Sequence, residues 1–351
     1  MAQPLWGRST HGGRRDLRRA LRGERSRLRL APRRDRAARA GWRPTQEVRP
    51  DDLSGGGAPP RLGGVSQSAN RKPRDDEIDL HALTHPGLVR QENQDHFLVG
   101  NLRAQLDVLV TSLPELGRVP VGSERLAFLA MVADGVGGGA RGETASRAAL
   151  EAVTRYVGES INTYYTADAA DEVVFADTLS AATLRVHEEL LRLAQETPET
   201  GHLATTLTLL IGLWPREYLV QVGDSRYYLF NKGTLRQVSH DQTVGQDLVD
   251  SGVLESGHPA YQRWSRTLSS SIGGSESRPV VTTYASDWDN VHLMCSDGLT
   301  RHVSDERIHE RLSTMTSAKQ ASEDLLQDAL DGGGRDNITM IVARTIRRDL
   351  P

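Results

Sequence analysis

From about Asp75 onward, short apolar runs alternate with longer segments whose apolar residues recur every three or four positions. The runs His96–Val99, Leu126–Ala133, Thr205–Trp214, Glu217–Val222, Val291–Cys295 and Asn337–Arg344 are rich in Val, Leu, Ile and Thr and bounded by Gly, Asp or Pro, which predicts strands. Helical spacing puts Ala149, Val153, Tyr156 and Val157 on one face of a helix over about 143–161. Leu179, Ala182, Val186, Leu190 and Leu193 mark another over about 177–196. A third helix is predicted from Ser317, which precedes Gln320 at capping-box spacing and leads to an apolar face of Leu325, Leu326 and Leu330. Helices come in pairs and strands in groups, which predicts a layered α+β domain rather than strict β-α-β alternation.

Residues 1–72 break this pattern. The first 50 hold 15 Arg, no Lys and 4 acids, an excess of 11 positive charges, so the rest of the chain carries 14 excess negative charges within the total of −3. Dense like charge followed by Gly, Pro and Ser offers little to bury, and the segment reads as a disordered, Arg-rich extension. An electrostatic tether to nucleic acid or acidic lipid, or a transit peptide, would suit the arginines. No aromatic interleaving supports a specific nucleic-acid partner, and a solvated tail or an unused upstream start is the simpler reading. The folded domain is placed at 73–351.

Elsewhere, no apolar stretch reaches the ~18 residues of a membrane span, and the N-terminus lacks the apolar centre of a secretory signal. The single cysteine, Cys295, excludes an internal disulfide framework and suits a reducing compartment. A cytoplasmic monomer is expected.

The candidate chemistry lies in a recurring device: an apolar run that stops at an aspartate beside Gly or Ser. Asp134 follows such a run in ADGVGGG, Asp224 in VGDSR and Asp297 in CSDG, while Asp336 precedes one in GGGRDN and Asp95 another in RQENQDHF. Singly, each is a turn or cap residue. Together they form a set of carboxylates that repel unless protonated or neutralised by a divalent cation. Oxygen-only ligands suit Mg²⁺ or Mn²⁺ rather than Zn²⁺, and no HExxH or Cys pair competes. The Gly137-Gly138-Gly139 run lacks the Lys and Ser/Thr of a P-loop and reads as a turn into a helix.

The ordered series RxxNQD, ADGVGGGxxGExAS, GDSRxYL, CSDGL and GGRDNIT, from about Thr84 to Val342, resembles the metal-dependent protein phosphatases of the 2C type (PPM family) in their bacterial form. The resemblance implies an α-β-β-α sandwich, two antiparallel sheets face to face with helices outside and a two-metal centre at one edge. It implies Asp134 as the acid bridging two Mn²⁺ or Mg²⁺ ions, Gly135 as a carbonyl ligand, and Asp297 and Asp336 completing the pair. The resemblance further implies that Asp95 binds the cluster directly or through water, that Asp224 serves a weaker third site, and that Arg90 clamps substrate phosphate. The implied reaction is in-line attack on phosphoserine or phosphothreonine by a water bridging the ions, without a phosphoenzyme. Implied partners are phosphoproteins made by Ser/Thr kinases, and the alternative is an inert regulatory member of the family. Cys295, inside an apolar run, reads as a core residue.

Two positions depart from the animal members: Gln94 stands where they have Glu, and Val136 where they often have His as a possible general acid. His85 and His96 are expected near the cleft but outside the ligand set, and His240 in a loop. Gln242–Gly274 occupies the place of the family's variable flap, where Trp264 is either a substrate anchor or a packing residue.

Overall fold

The computed structural model describes residues 45–47, 71–103, 106–112, 125–137, 140–164, 172–196, 202–255 and 257–348. Of the Arg-rich extension, all but Thr45–Glu47, Arg71 and Lys72 lies outside the described residues. The strands are β1 (Thr45–Glu47), β2 (Ile78–His85), β3 (Asp95–Leu102), β4 (Leu106–Thr111), β5 (Ala127–Val136), β6 (Ala204–Thr205), β7 (Leu207–Leu213), β8 (Arg216–Val222), β9 (Arg226–Asn231), β10 (Thr234–Gln237), β11 (Val280–Ala285), β12 (Val291–Cys295) and β13 (Ile338–Thr345). The helices are α1 (Ala140–Tyr164), α2 (Glu172–Glu196), α3 (Val244–Asp250), α4 (Tyr261–Trp264), α5 (Asp297–Thr300), α6 (Asp305–Ser313) and α7 (Ala318–Asp331).

Two sheets result. One runs β1-β11-β8-β7-β5-β3-β4, with β6 paired to the end of β5, and the other runs β10-β9-β12-β13-β2. Their pairings are antiparallel except that of β1 with β11. Central strands are apolar on both faces because each sheet packs on two sides. Phe97, Val99, Ala130, Val132, Leu210 and Leu219 meet Tyr227, Leu229, Met294 and Ile341 between the sheets. The alternate residues Leu98, Leu129, Met131 and Ala133 pack outward against Ala149, Leu150 and Val153 of α1 and Leu179, Val186 and Leu190 of α2. Beneath the second sheet, Leu293, Cys295, Met340 and Val342 pack on Ile308 and Leu312 of α6 and Ala321, Leu325 and Ala329 of α7. The layer order is therefore α-β-β-α, as expected.

Boundaries shift where pairing decides them. The run predicted over 205–214 is broken at Thr206, whose N–H bonds the carbonyl of Asp134 at 2.9 Å instead of continuing a ladder. Ser317 caps α7 by accepting from Gln320 N at 3.0 Å, but the Gln320 side chain accepts from Thr316 N, so the reciprocal half of the box sits one residue early. Cys295 is fully buried, and burial pushes its thiol up to about 12, consistent with a core role.

Candidate active site

Five aspartates from five chain segments converge at one edge of the sandwich. Asp95, first in β3, lies directly opposite Asp134 of β5 in the antiparallel register. Asp224 follows β8, Asp297 opens α5 after β12, and Asp336 stands just before β13. Asp134 is not at a strand end as expected: Gly135 and Val136 pair with Thr205 and Ala204, carrying β5 past it. Asp134, Asp224, Asp297 and Asp336 line a cavity of about 520 Å³ together with Arg90, Gln94, Gly135 and Val136. Asp95 lies beneath this cavity and is 2% exposed.

Close packing explains the glycines. A Cβ on Gly135 would fall 2.2 Å from the Gly142 carbonyl oxygen, so β5 and the start of α1 approach backbone to backbone. Gly87, at φ +81°, brings the loop after β2 to the backbone of Asp336, where a Cβ would sit 2.3 Å from its carbonyl oxygen. That loop is pinned by Asn337, whose Oδ1 accepts from Gln94 N at 2.9 Å while Nδ2 donates to the carbonyls of Pro86 and Glu92 at 3.0 and 2.9 Å. Arg90 is thereby held at the cavity mouth, where Nε and Nη2 grip Asp336 at 2.9 and 3.0 Å. Arg301, on the turn after α5, pairs with both Asp297 and Asp336.

The electrostatics are those of crowded carboxylates. Burial raises the carboxyls of Asp95, Asp134, Asp224 and Asp297 above the usual range, and neighbouring aspartates add to it. Ser296 Oγ donates to Asp95 Oδ2 at 2.7 Å, yet Asp95 Oδ1 is buried with no hydrogen-bond partner. A buried, unmatched carboxylate oxygen costs ~1–3 kcal/mol or more, and a cation relieves it together with the mutual repulsion. Among the described residues no three acids are drawn together as a closed ligand cage; Arg90 and Arg301 stand among them in this structure. The donor set, all oxygen, fits Mg²⁺ or Mn²⁺.

Several lining residues had no signal in the sequence beyond their neighbourhood. Arg301, His302 and Arg335 come from the segments bearing Asp297 and Asp336, and Arg266 and Leu268 from the 242–274 segment. Arg266 also lines an adjoining cavity of about 240 Å³ with Asp224 and Asp241. His302 Nδ1 donates to the Gly298 carbonyl at 2.9 Å and Nε2 accepts from Arg335 N at 3.2 Å, so both ring nitrogens are engaged. His85 accepts from Gly87 N and His96 is buried against Ser146; neither lines the cavity. His240 lies in the loop after β10, paired with Asp250 at 2.6 Å. Trp264 is 40% exposed, with the Arg263 guanidinium over its ring, and lines neither cavity, so the buried packing role expected for it fails.

A family model described as Protein phosphatase 2C matches residues 121–332. The serine/threonine protein phosphatase PstP of Mycobacterium tuberculosis is 34% identical over 228 residues, which cover 64% of this chain and 41% of that relative. The chain thus spans well under half the length of PstP. The serine/threonine phosphatase stp of Listeria monocytogenes is 28% identical over 229 residues, 63% of this chain and 85% of the relative. The solved catalytic domain of serine/threonine protein phosphatase PstP in complex with two manganese ions superposes with a TM-score of 0.58 at 28% identity, covering 77% of this chain and 99% of that one.

Proposed function

Because the chain belongs to the protein phosphatase 2C family, we propose that it is a metal-dependent serine/threonine protein phosphatase acting on phosphoserine and phosphothreonine in kinase-modified proteins. The observation that carries this reading is the meeting of four acids and Arg90 around one cavity, with Asp95 buried beneath it.

In this reading Asp134, as the acid common to both, would hold two Mn²⁺ or Mg²⁺ ions together with the Gly135 carbonyl, Asp297 and Asp336. Asp95 would contribute directly or through water, and Asp224 would serve a third, weaker site. Bound divalent ions supply charge neutralisation at phosphorus and an acidified water as nucleophile. Arg90 receives the substrate: its planar fork, half exposed and now bidentate to Asp336, matches two phosphate oxygens and stabilises their charge during in-line displacement. Val136 offers no proton to the departing serine or threonine oxygen, and His302 has both nitrogens engaged, so that proton comes from water or another group of the cavity.

The test is hydrolysis of a phosphothreonine peptide with Mn²⁺, with Mg²⁺ and with EDTA, for the native chain and for Asp134→Asn. Turnover is expected only with metal and is lost in the variant, whose far-ultraviolet spectrum stays native. Activity that survives EDTA, or an active Asp134→Asn, refutes the assignment.

A further inference from the structure

The strands β5, β8, β12 and β13 each serve the acid cluster at one end and line a second cavity at the other. This cavity, of about 90 Å³, opens at the opposite edge of the sandwich and is lined by Phe128 and Ala130 of β5, Glu217 of β8, His292 of β12 and Ile341 of β13, with Trp214 among the other walls. Glu217 and Asp224 are seven residues apart along extended chain, so the two sites stand on the order of 20 Å from each other.

The cavity has a largely apolar lining in which two buried polar atoms lack a hydrogen-bond partner, Glu217 Oε2 and Arg125 Nη1. Glu217 is 6% exposed. Its Oε1 accepts from Ser286 Oγ, while Oε2 is buried with no hydrogen-bond partner. His292 Nδ1 is 3.6 Å from Oε2 and is already bonded to the Tyr227 hydroxyl at 2.7 Å. Tyr227 in turn bonds the Tyr284 hydroxyl, which also faces the Glu217 carboxylate. The cations on the cavity wall face other partners: Arg125 donates to the Pro73 carbonyl and lies 3.4 Å from Asp75, Arg344 pairs with Asp79 at 2.9 Å, and Lys72 donates to the Arg125 carbonyl. Glu217 Oε2 itself has no hydrogen-bond partner, in a cavity whose walls include Phe128, Trp214 and Met294.

Burying such an oxygen unpaired is costly, and native proteins resolve it with a water or a ligand. Water satisfies the oxygen but gains nothing from Phe128, Trp214 and Met294. We infer that this cavity is a binding site for a compact organic cation, an ammonium or amidinium group that donates to Glu217 Oε2 and is carried on an apolar or aromatic body. A few placed polar groups on apolar walls are the usual make-up of a small-molecule site, and the aromatic rings add attraction for a cation. The catalytic reading plays no part in this inference.

Benzylamine is the probe, titrated into the full chain by calorimetry and by soaking into crystals, with benzyl alcohol as its neutral counterpart. Saturable one-site binding is expected, with the ammonium on Glu217. Glu217→Gln keeps the shape and removes the charge, and weakens binding by about tenfold or more, as loss of a charge-assisted hydrogen bond does. Gly212→Val keeps Glu217 but projects a side chain from the cavity wall, where the nearest atom to a Cβ is 3.5 Å away, and also abolishes binding. The inference is overturned by water alone at Glu217 Oε2 with no saturable binding, by unchanged affinity in either variant, or by equal affinity for benzyl alcohol.

Discussion

Asn337 carries a heavier load than its place behind the metal acids suggests, and Asn337→Ala measures it. The side chain is 5% exposed and makes three hydrogen bonds, at 2.9, 3.0 and 2.9 Å, to the backbone of the 86–94 loop. At about 1 kcal/mol each, losing all three costs roughly 3 kcal/mol. Pro86 and Glu92 are exposed, so water can replace the partner of their carbonyls, which lowers the expectation to about 1–3 kcal/mol. The assay is urea unfolding, where the midpoint falls while the slope stays constant. Because the same loop presents Arg90, KM for a phosphothreonine peptide rises more than kcat falls. Asn337→Asp retains the acceptor for Gln94 but sets a carboxylate against two carbonyls, and is expected to be at least as damaging. A loss below about 0.5 kcal/mol with unchanged KM in Asn337→Ala would refute the reasoning.

Other consequences are equally direct. Gly135→Ala drives a Cβ into the Gly142 backbone and separates β5 from α1, costing about 1–3 kcal/mol by thermal or urea unfolding and weakening Mn²⁺ binding by calorimetry. Ser317→Ala removes the cap of α7 and costs about 1 kcal/mol, with no effect on turnover. Glu77 is fully buried, and hydrogen bonds from Arg71 hold its carboxyl at about 2, below its ordinary 4.5. Its stabilising contribution is complete above about pH 4.5 and disappears as pH falls through about 2. The stability gap between the native chain and Glu77→Gln therefore narrows across that range in acid denaturation, and a constant gap refutes the linkage.

How much was legible follows from the range of the forces. The two long helices were readable because one face of each must be apolar, and periodicity records that locally. Strand β12 was read to its ends, while β1, β2, β4, β9, β10 and β11 were missed. Arg226 of β9 and Thr282 of β11 are polar residues whose partners, Asp241 and the strand position Leu219, lie in other segments of the chain. The helix α6 was also missed, since its arginines Arg307 and Arg311 find Asp328 and Asp324 only once α7 is packed beside it. Motif order brought the five aspartates to attention, and the resemblance they carried led to the right layers.

What the chain by itself determined is the identity and order of the acids, the glycines between them and the apolar faces that stack into four layers, because residue type and spacing are local properties. The tertiary structure decided the rest. It put Asp95 across from Asp134 by strand register, carried β5 beyond Asp134 through pairing with β6, and placed Arg301 and His302 in the cavity. It also left Glu217 unmatched at the far edge. Register, close backbone approach and an unpaired buried charge are relations between segments far apart in sequence, and they come into being only when the sheets pack.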